Sequence, residues 1–180
     1  MRLTEKTITR DIIYEGKIFT VIKDLVELPD ESHAGREVII HAGGAGILPV
    51  DENNDVTLVR QYRAGASEVL TEICAGKLEK GEDPQSCAIR ELEEELGLKA
   101  STVTPLGYIY PTPAYDSERT YIFLAQGITP VSSHPDRDEF VEPVKMPFDK
   151  AVKAVCDGTI TDAKTQIAVL RAERILSGKD

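Results

Sequence analysis

The chain of 180 residues has few cysteines, no tryptophan and no long apolar run. Its three cysteines, Cys74, Cys87 and Cys156, form no CxxC pair and cannot all be paired, which argues against disulfides and a zinc site and favours a reducing compartment. No apolar stretch approaches the ~20 residues of a membrane span, and the N-terminus lacks the apolar segment of a secretory signal. We therefore expect a cytoplasmic protein without a membrane span.

The chain also lacks a basic cluster, and its net charge is −10. An acidic surface repels phosphate backbones, so binding of nucleic acid is not expected. The three histidines are scattered and form no HExxH pattern. A protein of this charge that acts on an anionic phosphate ester needs cations in its site.

The order of apolar patterns predicts an arm followed by a single domain. Residues 1–44 alternate as strands do and are predicted to form a small β-rich arm, which the glycine-rich residues 42–44 end. Over residues 45–180, strands alternate with helical segments, which predicts an α/β/α sandwich with a mixed sheet. With 41% hydrophobic residues, the chain is long enough to build such a core.

Two helices are expected to close the chain. Asp149 is the predicted cap of the first, and Thr161 or Asp162 the predicted cap of the second. The apolar face expected for the second helix consists of Ile167, Leu170 and Ile175.

The central stretch, residues 76–98, has the pattern of a glycine-opened loop followed by a short helix. Asp83 is the predicted N-cap, Pro84 suits the first turn, and Gly97 occupies the position of a left-handed C-terminal cap. Helical spacing predicts an apolar stripe of Ile89, Leu92 and Leu96.

Three carboxylates, Glu91, Glu94 and Glu95, are predicted on an arc of roughly 100° opposite that stripe. They repel one another, and the only partner within the run is Arg90, one turn before Glu94. Clustered oxygen ligands suit Mg²⁺ or Mn²⁺. Taken alone, the helix fits either a metal site or a solvated acidic face.

The spacing of the whole stretch decides between these interpretations. Gly76, then Glu82 after five residues, then the run from Arg90 to Leu98 after seven more, match the Nudix signature G-x5-E-x7-R-E-U-x-E-E-x-G-U at every fixed position. Seven such identities arise by chance on the order of once in 10⁸ placements. The chain therefore resembles the Nudix hydrolases, which cleave a nucleoside diphosphate linked to another group with the help of divalent metal ions.

Outside the signature, the chain is similar to the ADP-ribose pyrophosphatase subgroup over nearly its full length. The similarity includes an REV motif at Arg36, an RQYR segment ending at Arg63, and EICAGKLEKGE beginning at Glu72. Pro113 lies 16 positions after Gly97, a spacing associated with ADP-ribose specificity. The resemblance implies hydrolysis of ADP-ribose to AMP and ribose 5-phosphate, in a homodimer whose exchanged N-terminal arms contribute to the partner's site.

The resemblance also implies roles for single residues. Glu91, Glu95 and the backbone carbonyl of Ala75 would hold Mg²⁺ or Mn²⁺. Glu139, with Glu142 as second candidate, would act on the attacking water as catalytic base. The residues implied to assist the metal site are Glu94, as ligand or as partner of Arg90, and Glu82 in the outer shell. The implied substrate contacts are Arg36, Arg63, Glu72, Pro113 and Glu118.

Two positions depart from the subgroup. Cys74 replaces a common proline, and Ala114 replaces the glycine usual after the loop proline, where it bears on substrate preference. Two other functions therefore remain open: a Nudix pyrophosphatase for GDP-mannose or another nucleotide sugar, and a non-catalytic sensor that binds ADP-ribose. Sensors commonly lose signature carboxylates, whereas this chain retains them all.

Overall fold

The structure is a computed structural model that describes residues 3–133 and 140–178. The chain divides into two compact units, one of residues 1–43 with 110–119, the other of residues 44–109 with 120–180. The first boundary lies at the glycine-rich residues that suggested the end of the arm. The sequence did not indicate that residues 110–119 group with the arm.

The first unit is a three-stranded antiparallel sheet in the order β1-β2-β3. Its strands are β1 (Lys6–Glu15), β2 (Phe19–Glu27) and β3 (His33–His41). Residues 110–119 join it through backbone hydrogen bonds to β3. The N–H of Ile39 donates to the Tyr115 carbonyl at 2.7 Å, and the N–H of Ser117 donates to the Ile39 carbonyl at 2.9 Å.

Two sheets are formed by the part of the second unit that the structure describes. The four-stranded sheet has the order β7-β4-β9-β8, with β4 and β9 parallel and the other neighbours antiparallel. The three-stranded sheet, β10-β5-β6, is antiparallel. The strands are β4 (Gly44–Pro49), β5 (Asp55–Arg63), β6 (Glu68–Glu72), β7 (Cys74–Lys77), β8 (Leu98–Ile109), β9 (Thr120–Pro130) and β10 (Val141–Pro147).

The described residues of this unit form three helices: α1 (Pro84–Leu96), α2 (Phe148–Cys156) and α3 (Ala163–Leu176). Because successive side chains of a strand point to opposite faces, β4 and β9 contribute to two separate cores. Ile47 and Phe123 pack in the core that contains Leu92 of α1. Leu48 and Leu124 pack in the core that α2 and α3 complete. The predicted α/β/α sandwich with a mixed sheet is therefore confirmed.

The closing helices differ from the prediction in two details. Asp162 caps α3 as expected, but α2 begins after Pro147 without a side-chain cap, and Asp149 lies in its first turn. The expected apolar face of α3 is wrong, since Leu170 is 39% and Ile175 50% exposed. The helix instead buries small side chains that allow a close approach to the sheet: Thr165, Ala168, Val169 and Ala172. None of the helices in the described ranges has the length and apolar character to cross a membrane.

Candidate active site

Helix α1 is fixed at both ends by the caps that the sequence predicts. The Asp83 carboxylate accepts a hydrogen bond from the Ser86 N–H at 3.0 Å, and Pro84 is the first helical residue. Gly97 ends the helix in the left-handed conformation, at a φ of 58°. Defined ends hold the side chains between them at fixed angles around the helix axis.

The carboxylates of Glu91 and Glu95 lie on the buried face of α1, at 7% and 6% exposure. The predicted arc opposite an apolar stripe is therefore wrong for these two, while Glu94 is partly exposed. Ile89 and Leu96 are only half buried. The buried face of α1 consists of Cys87, Ala88, Glu91, Leu92 and Glu95.

Gly76 explains how the Glu91 carboxylate fits against the sheet. A Cβ atom at Gly76 would lie 1.8 Å from Glu91 Oε1 and 2.0 Å from its Cδ, far inside van der Waals contact. Because Gly76 has no side chain, the surface of β7 has a cradle at this position, and the Glu91 carboxylate of α1 lies in it. Ala75 adjoins this cradle and pairs with Gly46 of β4, which fixes the backbone there.

Arg90 lies among three of the signature carboxylates. Its Nε donates to Glu82 Oε1 at 3.0 Å, and its Nη1 donates to Glu91 Oε1 at 2.7 Å and Glu94 Oε2 at 2.9 Å. The hydrogen bonds to Glu82, followed by the charge of Glu91, raise the pKa of Arg90. The same hydrogen bond lowers the pKa of Glu82, whose Oε2 also accepts from the Glu79 N–H at 2.9 Å.

These residues fit a hard divalent cation. Arg90 carries one positive charge, whereas Glu82, Glu91 and Glu94 carry three negative charges, so the cluster remains anionic. Across the ranges that the structure describes, no group of three or more His, Cys, Asp or Glu is arranged to hold a metal ion. The predicted ligand set does not require such a group of three side chains, because it combines two carboxylates with a backbone carbonyl. The glycine cradle and the oxygen-only donors suit that set.

A second charged group joins β5, β6 and α3. Arg63 donates to both oxygens of Glu72, from Nε at 2.8 Å and from Nη2 at 2.9 Å, and Lys164 Nζ also donates to Glu72. Burial acts to raise the pKa of Glu72, which is 1% exposed, but the Arg63 hydrogen bonds and the Lys164 charge outweigh it and lower that pKa. The hydrogen bonds to Glu72 raise the pKa of Arg63, with smaller contributions from the charges of Asp162 and Glu95. The charge of Glu95, on α1, therefore acts on Arg63.

Of the two candidates for the catalytic base, one lies in the part of the chain that the structure describes. Glu142 lies on β10, where it is largely exposed and accepts a hydrogen bond from Arg60 Nη1 at 3.0 Å. Glu139 lies outside the described residues.

Three predicted substrate contacts belong to the first unit. Arg36 on β3 forms an ion pair with Glu5 through both its Nε and its Nη2, the former at 3.0 Å. Pro113 is exposed, and Glu118 is half buried. The Glu118 N–H donates to Asp116 at 2.8 Å, which shapes the segment.

Sequence reasoning missed two features of the site. The sequence identified Gly76 only as a fixed position of the signature. Its physical role is to leave room for the carboxylate of Glu91, which lies on a helix that follows Gly76 in the chain. Lys164 was missed altogether. It is the second residue of α3, where the positive end of the helix dipole disfavours a lysine, and this unfavourable position was a signal that the side chain has carboxylate partners.

The chain matches the NUDIX domain family model over residues 40–165. It belongs to the NUDIX domain family, as the signature predicts. Members of this family generally require divalent metal ions.

Relatives with known names cover most of the chain. It is 37% identical to the ADP-ribose pyrophosphatase of Bacillus subtilis, over 93% of this chain and 91% of that protein. It is 35% identical to the methanol dehydrogenase activator of Bacillus methanolicus, over 92% and 90%. It is also 35% identical to the GDP-mannose pyrophosphatase of Yersinia pestis, over 72% and 70%. Together with the family match, these similarities confirm the predicted enzyme class, a Nudix hydrolase.

The fold matches a solved structure. The crystal structure of an ADP compounds hydrolase superposes with a TM-score of 0.86, covering 99% of this chain and 98% of that one, at 23% sequence identity. The predicted Nudix-type architecture is confirmed by this match.

Proposed function

We propose that the chain hydrolyses the diphosphate bond of ADP-ribose to AMP and ribose 5-phosphate, with Mg²⁺ or Mn²⁺ as cofactor. One observation carries the proposal: Glu91 and Glu95 lie on the buried face of α1, and Gly76 of β7 leaves room for the carboxylate of Glu91. The similarity to the ADP-ribose pyrophosphatase of Bacillus subtilis supports ADP-ribose as the substrate.

In this proposal, Glu91, Glu95 and the Ala75 carbonyl hold the metal ion. A bound divalent ion offsets the charge of the diphosphate and lowers the pKa of a water molecule. Arg90 holds Glu91 and Glu94 in defined positions by hydrogen bonds of 2.7 and 2.9 Å. Glu82 anchors Arg90 from the loop before the helix, so the set of carboxylates is oriented before substrate arrives.

A late carboxylate is proposed to orient or deprotonate the attacking water, with Glu139 as the first candidate and Glu142 as the second. Glu139→Gln is expected to lower kcat by about 10²-fold or more, and Glu142→Gln to lower it much less. Single-turnover kinetics of both variants test the assignment. Near-normal turnover in Glu139→Gln together with a large loss in Glu142→Gln would exchange the two roles.

Arg63 is the proposed diphosphate contact of this unit. Its side chain is 40% exposed, and its planar fork can donate to two phosphate oxygens at once. Both oxygens of Glu72 accept hydrogen bonds from protein groups. We therefore propose that Glu72 contributes to substrate binding indirectly, by orienting Arg63. Arg36, Pro113 and Glu118 remain proposed substrate contacts.

The test is release of AMP from ADP-ribose in the presence of Mg²⁺ or Mn²⁺. Glu95→Gln is expected to lower kcat by at least about 10²-fold, since it removes a metal ligand. Glu93→Gln makes the same change on the same helix outside the predicted ligand set, and should retain wild-type activity. Equal losses in the two variants, or activity that survives complete removal of divalent ions, would contradict the proposed site.

A second substrate class is favoured by the similarity to the GDP-mannose pyrophosphatase of Yersinia pestis. The AMP-release assay should therefore include GDP-mannose and other nucleotide sugars at equal concentration. A higher kcat/KM for one of them would identify that sugar as the preferred substrate and point to Ala114 and its loop. Binding of ADP-ribose without cleavage of any substrate would support the sensor instead.

The proposed assembly is a homodimer through the N-terminal arm, and the proposed compartment is the cytoplasm. The first unit exposes large apolar side chains, which supports association with a second copy of the chain. All three cysteines are free, as is usual in a reducing compartment. We propose no nucleic acid partner, in line with the net charge of −10.

A further inference from the structure

Lys164 occupies an electrostatically unfavourable place at the start of α3. It is the second residue of the helix, where the positive end of the helix dipole repels a cation, and its side chain is 16% exposed. A largely buried ammonium group persists only when carboxylates accept its hydrogen bonds. The carboxylates that accept hydrogen bonds from Lys164 therefore indicate its role.

Those partners are Glu72 and Asp162. Lys164 Nζ donates to Glu72 Oε2 and, at 2.9 Å, to Asp162 Oδ1. Asp162 is itself fixed as the cap of α3, where its other oxygen accepts from the Thr165 N–H at 2.9 Å. Thr165 Oγ1 accepts in turn from the N–H of Ile73 at 2.8 Å, which ties the start of α3 to the residue after Glu72. The lysine is thus held by a rigid frame.

The two cations on Glu72 differ in their access to solvent. The Arg63 side chain is 40% exposed, whereas Lys164 is enclosed. If Arg63 turns toward a phosphate, its two hydrogen bonds to Glu72 weaken, and a buried carboxylate that loses its partners is strongly destabilising. Lys164 remains on Glu72 Oε2 and offsets that loss.

We propose that Lys164 is a positioning residue for substrate binding: it keeps Glu72 charged and in place, so that Arg63 can engage the diphosphate and return. This inference rests on the proposed function, because it takes Arg63 as a phosphate contact. The groups that act on this centre are Arg63 from β5, Lys164 from α3, Asp162 at the N-cap of α3, and Glu95 from α1.

The test compares Lys164→Met and Lys164→Gln, which remove the charge, with Lys164→Arg, which keeps it. Lys150→Met is the matched control, because Lys150 also lies in the first turn of a helix but is exposed. KM for ADP-ribose is measured across about pH 5.5 to 8, since KM does not depend on the fraction of folded enzyme. Loss of the Lys164 charge removes one of the two cations that lower the pKa of Glu72, so that pKa should rise, and protonation of Glu72 should affect KM most at the acid end of the range.

The two uncharged variants are expected to raise KM about tenfold at neutral pH, with a smaller effect on kcat, and KM should rise further as the pH falls. Lys164→Arg and Lys150→Met should keep the wild-type KM and pH profile. Unchanged KM and pH dependence in both uncharged variants, with only lower thermal stability, would overturn the inference.

Thermal unfolding as a function of pH separates this inference from the proposed function. Without Lys164, the folded pKa of Glu72 should rise toward or above its ordinary value of 4.5, so stability should fall less on acidification than in the wild type, whether or not the chain cleaves ADP-ribose. If the variants show this smaller acid-side loss while the wild type is inactive on ADP-ribose, the function is refuted but the charge-holding role is retained. Absence of this smaller loss in both uncharged variants would refute the role of Lys164.

Discussion

A single missing side chain determines whether the Glu91 carboxylate can lie against the sheet. We expect Gly76→Ala to displace Glu91, because the new Cβ would lie 1.8 Å from Oε1. The displaced group is a flexible side chain, so the fold should survive with a small change in melting temperature. A shifted metal ligand should nevertheless lower kcat by about 10²-fold. AMP release and thermal unfolding of the same preparation measure both effects.

Gly65→Ala is the control for Gly76→Ala. A Cβ at Gly65 meets no atom within 4 Å, and its backbone is not in the left-handed region, so activity should be unchanged. Full activity in Gly76→Ala would show that the position of Glu91 against β7 does not matter for the reaction.

Glu72 should make stability depend on pH in a defined direction. Its folded pKa lies below the ordinary value of 4.5, so its stabilisation is complete above about pH 4.5 and is lost as the pH falls through the folded pKa. Glu72→Gln is expected to cost about 2–3 kcal/mol of unfolding free energy near pH 7. The difference from wild type should shrink toward about pH 3. Urea unfolding over this pH range measures it, with Glu68→Gln, exposed on the same strand, as control.

A pH-independent gap between wild type and Glu72→Gln would mean that the variant disturbs packing only. The charge of Glu72 would then contribute nothing to the stability of the fold.

At the level of the helix, the N-cap of α1 is a local interaction with a predictable cost. Asp83→Ala removes the acceptor for the Ser86 N–H and should lower the unfolding free energy by about 1 kcal/mol. Asp83→Ser retains a capping oxygen and should lose much less. Urea unfolding of the two variants provides the comparison. An equal loss in both would indicate that Asp83 stabilises the loop by some other contact.

The elements show which features a sequence can predict. Each end of α1 depends on a contact between residues a few positions apart, Asp83 with Ser86 and Gly97 with Glu93, and both caps were predicted. The burial of Glu91 depends on Gly76, which lies in a separate strand, so helical periodicity placed that carboxylate on the wrong face. The face of α3 was missed for a related reason, because periodicity searches for large apolar side chains whereas close packing there uses small ones.

The chain as a whole was predictable where its signals are repeated along the sequence. Strands that alternate with helices indicate the α/β/α sandwich, and the spacing of seven fixed residues indicates the family. The grouping of residues 110–119 with the arm was not predictable. It depends on hydrogen bonds between Ile39 and the segment at Tyr115 and Ser117, about 75 residues apart, and local pattern carries no information on such pairing.

The arm exposes the apolar surface expected of a subunit interface. β1 is the edge strand of the β1-β2-β3 sheet, and all ten of its residues are exposed. Exposed edges and exposed apolar side chains both favour association. The most exposed large apolar residues of β1 are Ile12, at 64%, Ile13, at 62%, and Tyr14, at 54%.

We therefore expect the chain to sediment at close to twice its mass of 19.8 kDa. Ile12→Lys combined with Ile13→Lys should shift it toward the monomer, because both side chains are exposed and two charges would then replace the most exposed apolar residues of β1. If the partner's arm completes the site, the rate of ADP-ribose hydrolysis should decrease in proportion to the fraction of dimer. Val69→Lys, an exposed apolar position of the second unit, should leave both unchanged. A wild-type chain that is monomeric and fully active at assay concentration would rule out a functional role for dimerisation, and Arg36 would then have to act within its own subunit.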